Sequence, residues 1–101
     1  MKVYGIYQIK NLENCRYPFM DYDYAQRHGF NLNDYEFVYG DILEKPEIES
    51  RGLHCVLEYL FYTFNMNHPA DFEGHSLSTS DIVEVDGVKY YCDNAGWKEV
   101  C

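Results

Sequence analysis

The chain has 101 residues, 47% of them hydrophobic and 18% aromatic, and its 17 acidic residues face 8 Lys plus Arg for a formal net charge of −9. That length suits one domain over residues 1–101, and the apolar content is too high for a disordered segment. Such an acidic chain is repelled by phosphate backbones, which argues against direct nucleic-acid binding, and it has no apolar run long enough for a membrane span.

The start, MKVYGIYQIK, lacks the apolar core of a signal peptide, so a soluble cytoplasmic protein is the expectation. Within it, residues 3–9 (VYGIYQI) alternate along two largely apolar faces and read as a central strand. A loop over residues 10–18 follows. Asp21 or Asp23 can cap a short helix that Gly29 would end. Residues 34–39 (DYEFVY) alternate again and read as a second strand, stopped by Gly40-Asp41.

Residues 44–69 hold the strongest helical pattern. Leu53, Val56, Leu57, Leu60, Phe61 and Phe64 form an apolar stripe suited to packing on a sheet, while Glu58, Tyr62 and Asn65 fall away from it. Gly52 marks a break between a loose first turn and the main helix, and Asn67 and Pro69 end it. Beyond a polar corner, Asp86-Gly87 between IVEV and VKYYC is a strong hairpin signal, and WKEV after Gly96 reads as an edge strand. The expected class is α+β: a mainly antiparallel sheet of four or five strands, one long amphipathic helix packed on one face, and one short helix.

Cys15, Cys55, Cys92 and Cys101 form no close pair, so reduced thiols are expected, with Cys55 and Cys92 in the core. No metal site or other cofactor is expected, because zinc needs two close ligand pairs.

DFEGHSLSTSDIVEVDG (residues 71–87) raises a chemical alternative, since GHSLS is similar to a nucleophile elbow. A small hydrolase or nuclease would use His75 with Ser76 or Asp81. An elbow needs a buried strand before the serine and a helix after it, however, and here a polar loop precedes it and a strand-like run follows. The preferred reading is a structural corner. Ser78-Thr79-Ser80-Asp81 has an S-x-x-D pattern in which hydroxyl and carboxylate satisfy backbone N–H groups, Phe72 and Leu77 anchor the turn, and His75 bonds its backbone.

D-F-x-G-H-S-L-S-x-S-D-I-V, then a hairpin and Y-Y-C-D-x-x-G-W-K-E-V, resembles the YodL-like domain. Asn33-Asp34-Tyr35-Glu36-x-Val38-Tyr39 and Phe64-Asn65-x-x-x-Pro69 are also similar, so the resemblance covers about two-thirds of the chain. It implies a setting in plasmids and integrative conjugative elements of Firmicutes. The motif residues Asp71, Phe72, Gly74, His75, Leu77, Ser78, Asp81, Gly87, Gly96 and Trp97 are read as determinants of the fold, and no catalytic role is carried over.

The functional expectation is a non-enzymatic inhibitor that binds a basic protein surface. Its sharpest form is an anti-CRISPR protein acting on a type II effector or its guide-loaded complex, whose channels for guide and target are strongly basic. Asp21, Asp23, Asp34, Glu36, Asp41, Glu44, Glu47 and Glu49 are the candidate contacts, with Tyr22, Tyr24 and Tyr35 as aromatic anchors. The alternative is a regulatory or adaptor module for conjugative-element proteins.

Overall fold

In the computed structural model, which describes residues 2–100, the alternating run at the start forms β1 (Lys2–Ile9) in the interior of a sheet. β1 pairs antiparallel with β2 (Tyr35–Leu43) on one side and β3 (Ile82–Val85) on the other. β4 (Val88–Cys92) and β5 (Trp97–Val100) complete five antiparallel strands in the order β2-β1-β3-β4-β5. Asp86 and Gly87, both at positive φ, make the two-residue turn between β3 and β4.

The helical part corrects the expectation from sequence. One long amphipathic helix does not form. Instead there are only short ones: α1 (Tyr22–Arg27) of 6 residues, α2 (Pro46–Glu49) of 4 and α3 (Leu53–Met66) of 14. After α2, the N–H groups of Arg51 and Gly52 fall back on the carbonyls three residues earlier, and Gly52 then turns to φ +100. That left-handed step divides the expected helix in two. It also leaves Leu53, assigned from sequence to the buried stripe, 40% exposed.

β2 is likewise longer than expected. Gly40-Asp41 does not stop it, because Gly40 lies directly opposite Gly5 of β1 and the ladder continues through both to Leu43. One irregularity, where the register shifts between Ile6 and Tyr7, interrupts the pairing.

The sheet carries a core on each face. On one, Val56, Leu57, Leu60 and Phe64 of α3 pack with Ile6, Leu43, Phe72, Leu77, Val83 and Val85. Each such side chain, withdrawn from water, contributes about 1.5–3 kcal/mol relative to exposure. On the other, residues 10–34, including α1, cover Ile9, Ile82, Tyr35 and Tyr91, with Tyr17 and Ala25 as the buried anchors. That cover stops short of the β1–β2 end of the sheet, where Val3, Phe37 and Ile42 remain exposed. Cys92 is buried and Cys55 only half-buried, while Cys101 lies outside the described residues.

Candidate functional site

The polar corner is built around Gln8, the residue before the last of β1. It is buried, and its Nε2 donates to the His75 carbonyl at 2.9 Å and to Asp81 Oδ2 at 3.1 Å. The same carboxylate oxygen accepts the Ser78 N–H at 2.9 Å. Among the described residues the Ser78 hydroxyl takes no backbone N–H, the role that the S-x-x-D pattern suggested for it, and donates instead to the Ser76 carbonyl. His75 Nδ1 lies 2.8 Å from that carbonyl, which fixes the ring. Gly74 is required by crowding: a β-carbon there would collide with Gln8 Oε1 and come within 2.7 Å of Val38 Cγ1.

Further bonds tie the corner to the rest of the molecule. The Tyr35 hydroxyl donates to the Ser80 carbonyl, Phe19 N–H donates to Ser80 Oγ, and Ser80 and Asp81 exchange backbone bonds with Cys92. Phe72 and Leu77 are buried in the α3-side core, and Asn65 of α3 donates to the Leu77 carbonyl. Asp71 accepts from the Tyr39 hydroxyl. Trp97 Nε1 donates to Glu58 Oε2 at 2.7 Å, and Gly96, at φ +89, closes the turn that starts at Asp93.

Asp81 is 1% exposed, and loss of solvent pushes its carboxyl up to about 7, against the opposing pull of the Ser78 N–H, His75 and Gln8. His75 Nε2 is withdrawn from solvent and lies 3.9 Å from Asp81 Oδ1, too long for a hydrogen bond. A nucleophile would need its hydroxyl bonded to the base. The Ser76 carbonyl holds His75, and no hydrogen bond joins the Ser76 hydroxyl to the ring among the described residues. Chemically the cluster binds a proton and braces the chain. Among the described residues no group of three or more His, Cys, Asp or Glu side chains is placed to hold a metal ion.

The acidic candidates fall into two groups that the fold separates. Asp21 caps α1 through the Tyr24 N–H, Asp23 pairs with Arg27 at 3.1 Å, and Tyr24 stacks on His28. Asp21, Tyr22 and Asp23 line a shallow cleft with Asp93 and Lys98, beside β5. Tyr22 leans into the core against Tyr91 and Phe30, and Tyr35 is buried outright, so neither is a free anchor. Asp34 is bound by the Tyr17 hydroxyl at 2.7 Å.

The second group lies at the opposite edge of the sheet, about 19 Å away at the usual strand spacing. Glu36 and Asp41 stand exposed on β2, Glu44 follows it, and Glu47 projects from α2. Glu49 accepts the Lys45 N–H. The spatial division of these residues is not visible in the sequence. Gln8 and the open apolar face were missed there too, although a lone glutamine in an apolar strand was a visible signal for the first.

A model of the YodL-like domain matches residues 3–101. No curated protein and no solved structure matches the chain. No helix among the described residues is long and apolar enough to cross a membrane. The chain belongs to the YodL-like domain family.

Proposed function

We propose that this YodL-like protein is a small acidic inhibitor from a mobile genetic element, acting by binding rather than catalysis. Its target is a basic surface of a host defence nuclease, and the sharpest candidate is a type II RNA-guided effector loaded with its guide. The observation that supports this reading is the placement of residues 34–49. Six acids against the single base Lys45 lie in this run, and all but Asp34, which Tyr17 holds just before the strand, lie along an edge of the sheet, the link after it and the short helix that follows.

A carboxylate row on a rigid edge presents negative charge where an enzyme expects phosphates. Basic channels that hold guide RNA and target DNA offer the complementary potential. Titrating the protein into guide-loaded effector and measuring residual target cleavage tests the reading. Loss of cleavage with dose supports it, and so does retention of that effect in a folded Ser76→Ala variant. Full cleavage at every dose, for each effector and restriction enzyme tried, overturns it.

A further inference from the structure

The two edges of the sheet differ in how they are protected. β5 is 4 residues long and carries Lys98, a common device against unwanted pairing. β2 is 9 residues long, with neither Lys nor Pro, and Gly40, Asp41 and Ile42 are all exposed. We infer that β2, over Tyr39–Leu43, accepts an extended basic segment of a protein partner as a sixth strand of the sheet. This deepens the proposed function and rests on it for the partner's basic character.

The ladder says which backbone groups are offered. Val3 accepts the Asp86 N–H at 2.8 Å and gives its own N–H to Asp86 Oδ1 at 3.0 Å, so both Val3 backbone groups point toward β3. Its partner across β1–β2 is Ile42, whose N–H and carbonyl therefore point outward, as do those of Gly40 two residues earlier. The Ile42 N–H is held meanwhile by the carboxylate of Asp41 at 2.8 Å.

The faces specify the occupant's side chains. Ile42 shares its face with Val3 and Phe37, which are 49%, 56% and 60% exposed, so the incoming strand should place apolar residues there. Asp41 is on the other face, with Glu44 just beyond the strand, and calls for Lys or Arg at alternate positions. A second copy of this chain fits worse, since each carries a net charge of −9.

The test uses the full chain, amide NMR and a peptide of alternating Lys and Val. A residue opposite Ile42 must direct both its side chain to the apolar face and its N–H to β2. N-methylation of the valines should therefore weaken binding about tenfold or more, and N-methylation of the lysines by less than about threefold. The Gly40 and Ile42 amides should shift, and Ile42→Lys should abolish the effect. Equal binding of the two methylated peptides, shifts centred on Asp21 and Asp23, or self-association through β2 would overturn the proposal. Effector inhibition that survives Ile42→Lys would remove this docking surface and leave the inhibitor reading standing. Peptide pairing at β2 by a chain that inhibits no effector would support the surface and remove that reading.

Discussion

Gly5 and Gly40 face each other across β1 and β2, and the ring of Phe37 lies close over both. A β-carbon on Gly40 would come within 2.7 Å of Phe37 Cζ, and one on Gly5 within 3.2 Å of Cε1. The glycine pair is thus what lets an exposed aromatic ring lie flat on the sheet, braced edge-on by Tyr7 at 5.5 Å. It leaves the apolar face of the β2 edge broad and low.

The two tight glycines should respond differently. Gly40→Ala meets the far end of an exposed ring that can swing away, and a tight but not colliding Tyr4 carbonyl oxygen at 3.1 Å, so it should cost about 1 kcal/mol or less. Gly74→Ala meets Gln8, Val38 and the Phe72 ring at once and should cost about 1–3 kcal/mol. Urea unfolding of both variants checks this, and equal losses would contradict it.

Gly87 at φ +87 makes the hairpin demanding. Gly87→Val forces a β-branched residue into the left-handed region and should cost about 1–2 kcal/mol or more. Lys89→Ala removes a partly exposed pair with Glu84 at 3.5 Å and a cation–π contact over the Tyr7 ring at 5.1 Å, and should cost about 1 kcal/mol or less. Thermal melts that rank them the other way would contradict the turn.

Asp81 sets a pH dependence. In the unfolded chain its carboxyl titrates near 4, as an ordinary aspartate does, whereas in the fold it is pushed up to about 7. Between those values the folded chain holds a proton that the unfolded chain has released. The stabilisation from protonated Asp81 is therefore complete below about pH 4 and lost as pH rises toward 7. Asp81→Asn keeps an acceptor for Gln8 and Ser78 without the titration. The wild type should lose on the order of 2–4 kcal/mol relative to this variant over that range. Parallel stability curves at pH 4, 5.5 and 7.5 would contradict the assignment.

Those features were unequally legible in the sequence. Asp86-Gly87 announced its turn because the signal is local: two adjacent residues suited to positive φ. Gly40-Asp41 looked the same and was read as a stop, since only its long-range partner Gly5 shows that it lies inside a ladder. The helical pattern of residues 44–69 was real in its apolar spacing. The break at Gly52 was also legible, but not that it would separate two short helices, α2 of 4 residues and α3 of 14. Gln8 bonds Asp81, 73 positions away, a relationship no local pattern contains. The acidic residues were plain as a composition, but their division between opposite edges depends on strand order.

That division makes a prediction for binding. Charge reversal of Glu44 and Glu47, beside β2, should weaken association with a basic partner about tenfold or more. Reversal of Asp21 and Asp23 should have a smaller effect, since Asp23 already pairs with Arg27 and both lie at the other edge. Neither pair should unfold the domain. Equal effects would contradict a β2-centred contact.

The most direct test of the central claim is the association rate with guide-loaded effector as a function of ionic strength, read by surface-immobilised binding kinetics. Attraction between an acidic edge and a basic channel is screened over about 8 Å at physiological salt. The on-rate should then fall steeply, about tenfold or more between 50 and 500 mM salt, while the off-rate changes little. An on-rate indifferent to salt, or no complex at any salt concentration, would contradict the account.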